Sequence, residues 1–528
     1  MGQGNELLRQ IRDEINALKP RAIEENVGHV LSVADGVVRA GGLSRVRLNE
    51  VVLFQGGSVG MALNLEEDNV GIIVLDDDVK IAVGDEVKAG GSLLSMPVGM
   101  GLLGRAVSAT GKPVDGRGEI VATAHYPVEK VAHGIIPRQS VSKPLQTGIL
   151  AIDSMIPIGR GQRELIIGDR STGKTSIAID TIINQARINR AAIAAGDGNF
   201  RPVYSVYVSI GQKRADLARI LQLLDDQGAM EYATVVVASS SESVASQYIA
   251  PYAATAVGEW FMDNGMDALI VYDDLSRHAV AYRQISLVLK RPAGRQAYPG
   301  DIFYLHSRLL ERAAKLSDDF GGGSLTALPI VETQAGDMAA YIPTNIISIT
   351  DGQIYIDTEL FNRGVRPAIA TGISVSRVGS AAQIKAFRQV AGGIKLKLGQ
   401  YYEMQSFAQF GSELDQRTRK LLDDGGRIVE LFKQGQQEPK AVEMQIFLLW
   451  AVMNGRFDDV AVERAGDVAR RMGEWLSTAH GDLLKKIADR GAIDGEMEKK
   501  MASAVERWKK LNGANGKDAS PGKASVAA

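Results

Sequence analysis

At 528 residues with 45% hydrophobic side chains, the chain is too long for one core and rich enough in apolar material for roughly two to four domains. A formal charge of −2 gives no electrostatic ground for nucleic-acid binding. Cysteine is absent, which removes disulfides, thiolate catalysis and cysteine-held metals.

The first segment, 1–23, places Leu7, Leu8, Ile11, Ile15 and Leu18 at helical spacing and stops at Pro20. This predicts a short amphipathic helix that docks on a partner or packs on its own body. Its mixed charges, Glu6, Asp13 and Glu14 among Arg9, Arg12 and Lys19, fit neither a secretion signal nor a transit peptide. From 24 to 93, short β-branched runs such as Val51-Val-Leu-Phe54 and Gly71-Ile-Ile-Val-Leu75 alternate with glycine and aspartate turns, which predicts a small β-barrel. From 94 to 380, apolar strands alternate with helical stretches, the pattern of an α/β sheet domain. From 381 to 512 the periodicity is helical almost throughout. The residues 513–528, rich in Gly, Ala, Ser and Lys, predict a disordered tail. Ile446-Phe-Leu-Leu-Trp-Ala-Val-Met453 is too short to cross a membrane and reads as core helix.

Two glycine motifs compete for attention. Val98-Gly-Met-Gly-Leu-Leu-Gly104 matches the dinucleotide fingerprint letter for letter. The residues after it break at glycine and proline by Pro113, so no helix dipole waits for a pyrophosphate and the stretch reads as a turn. By contrast, Gly168-Asp-Arg-Ser-Thr-Gly-Lys-Thr175 follows the apolar run Glu164–Ile167 and opens a helical stretch, Lys174–Gln185. That is the phosphate-loop context. Gly168 and Gly173 let the backbone amides of Asp169, Arg170, Ser171 and Thr172 face a phosphate, Lys174 reaches the β- and γ-phosphates, and the Thr175 hydroxyl ligates Mg²⁺. An Ala/Gly-rich loop is expected over 186–201.

Two strands extend this site. Val203–Ile210 runs into Gly211-Gln212-Lys213, so a neutral amide stands where a hydrolytic enzyme of this class needs a carboxylate base. Asp267-Ala-Leu-Ile-Val-Tyr-Asp-Asp274 is an apolar strand ending in acids, which places Asp273 beside the same Mg²⁺. The six histidines show no metal-ligand spacing and read as structural.

These residues sit within longer strings, among them Ala151–Arg170, Tyr298–Arg312, Pro343–Gln353 and Gly372–Gly379. With them the sequence closely resembles the alpha subunits of F-type ATP synthases, over about 24–510. The resemblance implies a multidomain α/β protein: an N-terminal β-barrel, a central RecA-like P-loop nucleotide-binding domain and a C-terminal α-helical domain. It also implies a non-catalytic, nucleotide-binding regulatory role, with ATP or ADP and Mg²⁺ as ligands. The implied partners are beta subunits in an alternating ring of three alpha and three beta, a central-stalk gamma subunit, a peripheral-stalk or delta subunit, and a membrane sector that moves H⁺ or Na⁺. The implied location is peripheral, on the cytoplasmic face of a bacterial inner membrane.

Residue by residue, the resemblance makes Arg377 the arginine offered to a neighbouring catalytic site and puts Ser374 in the family segment linked to activity, through positioning. Without the family, Arg377 reads as an ordinary ion-pair partner. The resemblance also puts Arg366, Pro367, Gln434 and Gln436 at the adenine, although 433–438 alone reads as a polar turn. Ser171 departs from the family, which carries glutamine there, and 455–510 matches weakly. Two rival readings are an autonomous ring ATPase, which predicts a carboxylate at Gln212, and a nucleotide-sensing scaffold with no role for Arg377.

Overall fold

The computed structural model describes residues 25–76, 80–408 and 415–512. The expected N-terminal helix and the expected disordered tail lie outside the described residues. The protein forms two compact units, Met1–Leu94 and Ser95–Ala528.

In the first unit, six short strands close into a barrel: β1 Val27–Ala34, β2 Val37–Gly41, β3 Glu50–Phe54, β4 Val59–Leu65, β5 Val70–Val74 and β6 Glu86–Leu93, in the order β1-β2-β5-β4-β3-β6. Every pairing is antiparallel, and β6 pairs back onto β1. Closure leaves no unpaired edge, and Val38, Val52, Ile72 and Val87 belong to a buried apolar core.

The second unit is built on an eight-stranded sheet. Across it lie Val375–Ser376, Gly352–Ile356, Leu165–Asp169, Ser324–Thr333, Asp267–Asp273, Val203–Gln212, Ala233–Ser239 and Ala106–Ser108. All neighbours are parallel except the edge strand Val375–Ser376. The inner strands are buried along nearly their whole length, as parallel strands covered on both faces must be. Their carboxyl ends, at Asp169, Gln212, Asp273 and Thr333, share one rim, the usual place for a ligand in an open α/β sheet.

The stretch Val98–Gly104 forms a single 3₁₀ turn, Met100–Leu102, followed by the strand Ala106–Ser108. It opens no helix, in keeping with the expectation of a turn. The helix after the phosphate loop runs from Lys174 to Ala194, longer than expected. The alanines at 191, 192 and 194, which read as loop composition, are strong helix formers and extend it.

Helices follow from Lys385 to Asn512. The middle of Val442–Met453, from Gln445 to Ala451, is buried, with Ile446, Phe447, Leu448 and Leu449 in one continuous core with Ile152, Ile166 and Ile183 of the nucleotide region. Asp153 pins the two together. Its carboxylate is buried, accepts from Thr147 N, Thr147 Oγ1 and Gly148 N, and takes Gln445 Nε2 at 2.9 Å. This packing carries the turn at 433–440 to the side of the phosphate-loop helix. Among the described residues, no helix is long and apolar enough to cross a membrane.

Candidate functional site: a two-ended cleft

The phosphate end begins where the strand Leu165–Asp169 stops. Gly168 is still in that strand, and a Cβ there would lie 2.5 Å from Ile356 O. Its smallness thus serves strand packing, while the turn is made by Ser171 (φ 62) and Gly173 (φ 97). Gly173 caps the helix that Lys174 opens, so the first free N–H groups and the positive helix end face the cleft.

Thr172 Oγ1 donates to Asp169 O at 2.7 Å, and Lys174 Nζ donates to the same oxygen at 2.5 Å. Lys174 is 5% exposed. Burial lowers its pKa, while Glu332, Asp274, Asp273 and Asp169 favour the charged form. The Asp169 side chain turns away from the loop. It accepts from Thr333 Oγ1, Gly336 N and Thr358 Oγ1 at 2.6, 2.9 and 2.9 Å. Burial works against its charge, but those donors outweigh it and lower the pKa. Arg170 and Ser171 are exposed and line the cavity.

The structure brings Thr175 and Asp273 together: Thr175 Oγ1 donates to Asp273 Oδ2 at 2.7 Å, and Tyr207 OH donates to the same oxygen at 2.8 Å. A hydroxyl beside a carboxylate is a hard oxygen pair suited to Mg²⁺, which takes few protein ligands and keeps phosphate and water oxygens. Among the described residues no cluster of three or more His, Cys, Asp or Glu could hold a metal by itself.

Gln212 ends the strand Val203–Gln212 and lines the same cavity of about 400 Å³. Its Nε2 donates to Tyr207 OH at 3.4 Å and to Asp273 O at 3.3 Å. Three further carboxylates that the sequence reading did not place there, Asp216, Asp274 and Glu332, also line this space. Asp274 caps the helix Leu275–Val288 through Arg277 N at 2.8 Å and pairs with the Arg277 guanidinium at 3.3 Å. Burial, then Asp273 and Glu332, push its pKa up to about 7.

A second cavity of about 360 Å³, the expected base end, shares Gly173, Ser176, Phe361 and Gln436 with the first. Arg366, Pro367, Gln434 and Gln436 all line it, together with Ile149, Ile177 and Asp180. The Arg366 guanidinium lies 4.2 Å from the Phe361 ring centroid. Gln434 serves the protein itself. Its Nε2 donates to Gly148 O and Glu438 O, both at 2.8 Å, and its Oε1 accepts from Leu150 N at 3.3 Å. Gln434 therefore holds the turn, whereas Gln436 is exposed and lines the cavity. Sequence reading missed Tyr207, Asp274, Arg277, Phe361 and Asp180. Asp274 had a signal, an acid three residues before the first-turn Arg277 of a helix, and the others had none.

Ser374 and Arg377 lie elsewhere, lining neither cavity. Ser374 is fully buried; it donates to Ala370 O at 2.7 Å and accepts from Tyr355 N at 2.9 Å. It thereby ties the edge segment to the strand Gly352–Ile356. Arg377 follows that segment, held by its own N–H on Asp351 O at 2.8 Å, with its side chain exposed. Of the six histidines, His278 and His306 are fully buried, and burial lowers both pKa values, His306 to about 3.

Three family models match in sequence. The ATP synthase alpha/beta family β-barrel domain covers 23–91, its nucleotide-binding domain 148–376, and the C-terminal domain of the ATP synthase alpha/beta family 383–508. The protein is 54% identical to ATP synthase subunit alpha of Aquifex aeolicus over 504 residues, 96% of its own length and 98% of that relative. It is 53% identical to the subunit alpha of Neorickettsia sennetsu over 508 residues, 96% and 98% of the two lengths. Against that of Dehalococcoides mccartyi it is 52% identical over 509 residues, 96% and 99%.

Proposed function

The chain belongs to the ATP synthase alpha/beta family, among its alpha subunits, and from that membership we propose a division of labour within the complex. The protein binds nucleotide as one subunit of a rotary ATP synthase. In the proposal it keeps Mg-ATP or Mg-ADP in its own cleft without turning it over. It also completes a catalytic site on a neighbouring beta subunit, in a ring of three alpha and three beta around a gamma stalk. A delta or peripheral-stalk subunit holds the ring, and a membrane sector moving H⁺ or Na⁺ drives it. The whole is an ion-translocating ATPase, peripheral on the cytoplasmic face of a bacterial inner membrane.

The observation that carries the reading is Gln212. It stands at the end of its strand against Tyr207 and Asp273, and an amide cannot take a proton from water as a carboxylate does. Of the other acids of that cavity, Asp216 is exposed and Glu332 favours the charge on Lys174, while two are engaged by hydrogen bonds. Asp273 receives Thr175 and Tyr207, and Asp274 receives the Arg277 backbone and guanidinium. When bound, Mg²⁺ at Thr175 and Asp273 would neutralise phosphate charge. Lys174 and the loop amides orient the phosphates, and the base end holds the ring.

Arg377 is free to act outward. It is exposed on a segment fixed by Ser374 and Asp351, outside both cavities of its own subunit. A guanidinium so placed stabilises charge on a phosphoryl group across an interface, worth about 10³–10⁵ in rate. The test is reconstitution. The full-length protein alone should retain Mg-ATP for many minutes without cleaving it, and Arg377→Ala should leave that binding intact while the assembled complex loses on the order of 10³-fold or more in turnover. Brisk phosphate release by the isolated subunit, or an assembled variant of normal rate, overturns the reading.

A further inference from the structure

The base-end cavity is walled by Ile149, Ile177, Phe361 and Pro367, so the few polar groups that face it decide which base is accepted. Most of them are engaged or adaptable: the Arg366 guanidinium lies over the Phe361 ring and the Thr172 hydroxyl donates to Asp169 O. The Gln434 amide is consumed by Gly148, Glu438 and Leu150. Gln436 is an exposed amide that can present either its oxygen or its nitrogen, and the Ser176 hydroxyl likewise donates or accepts. Asp180 differs. It sits on the phosphate-loop helix, lines the cavity and is 7% exposed. Its Oδ1 accepts from Gln437 N at 2.9 Å, which fixes the carboxylate. Among the described residues its Oδ2 accepts no hydrogen bond.

We propose that Asp180 selects the base, its carboxylate accepting a hydrogen bond from the 6-amino group of adenine and repelling the 6-oxo group of guanine or hypoxanthine. The proposal rests on the nucleotide site described above and names its specificity. A fixed group of one polarity rejects the wrong partner more strongly than an adaptable one, because the mismatch leaves a desolvated charge facing an acceptor. A carboxylate can also take the N1–H and N2–H groups of guanine; the relatives' ATP favours the 6-amino reading, and the test separates the two. Burial raises the Asp180 pKa to about 6, against the Gln437 N–H and Arg187, which lower it, and with Glu438, which raises it. At neutral pH the group is an acceptor; as pH falls through about 6 it gains a proton and can donate to a 6-oxo group.

The experiment is equilibrium dialysis of the full-length protein with ATP, ITP and GTP. At pH 7.5 the wild type should prefer ATP over ITP. Asp180→Asn keeps an oxygen for Gln437 N–H but turns an NH₂ toward the base, so the ATP:ITP preference should fall about 10–100-fold, with ITP affinity rising. In the wild type the same preference should shrink between pH 7.5 and pH 5.0, a readout that needs no variant. An ATP:ITP ratio untouched by both makes Asp180 only an anchor for the turn and sinks the proposal. Wild-type preference for GTP over both others overturns it in favour of guanine-edge recognition. A wild type that binds no nucleotide overturns the site itself, a failure distinct from lost discrimination.

Discussion

At the phosphate end of the cleft, Asp169 to Thr175 are contiguous in sequence and are held by their own backbone, with Thr172 and Lys174 both donating to Asp169 O. The base end is assembled from the phosphate-loop helix and from segments around 149, 361–367 and 434–437, stitched by Gln434 N on Arg366 O, Lys440 N on Gly148 O and Gln437 N on Asp180 Oδ1. One end is therefore a local motif and the other a product of packing. A change at the first should weaken every polyphosphate, whereas a change at the second should be felt by the base alone.

The strongest response is expected at Lys174. Lys174→Gln should cost roughly 100-fold or more in affinity for both ATP and inorganic tripolyphosphate, read by calorimetry. If tripolyphosphate binding survives, the contrast fails at its first term. Next is Asp274→Asn, which keeps the helix cap. The folded pKa near 7 lies above the ordinary 3.8, so the unliganded protein holds this proton more tightly than the unfolded chain does. Its stability therefore falls as pH rises from about 4 to about 7. The variant should lack that slope and be more stable at pH 8 by on the order of 2–4 kcal/mol, with the gap closing toward pH 4. Parallel melting curves from pH 4 to 8 would show the burial account to be wrong.

Weaker responses belong to the base end. Gln434→Ala removes three anchors of the turn and should weaken ATP about 10–30-fold while leaving tripolyphosphate unchanged. It should also speed hydrogen exchange at Gln434–Lys440. Gln436→Ala, an exposed amide, should cost about 2–5-fold for ATP and nothing for tripolyphosphate. Should Gln436 prove the more costly of the two, the roles drawn from the hydrogen bonds are reversed.

The same contrast explains what was legible. The phosphate loop announces itself because glycine, lysine and threonine at fixed spacing are required by backbone geometry within one turn. Asp273 follows from a buried strand that must end in something polar. Gln434 and Gln436 were placed by resemblance, but resemblance could not say that Gln434 spends its amide on Gly148, Glu438 and Leu150. The helix past Gln185 escapes a sequence reading because the glycines from 196 colour the alanines before them.

Local residue patterns were enough for the order barrel, α/β and helices, for the phosphate loop, and for the place of the Gln212 amide at the end of its strand, since each depends on residues near one another in sequence. Folding in three dimensions was needed to show that Asp180 shares a cavity with Pro367 and Gln436, that Asp274 and Glu332 stand beside Lys174, and that Arg377 lies outside both cavities. Those neighbours come from distant segments, and what joins them is burial of a common apolar core, which no local pattern encodes.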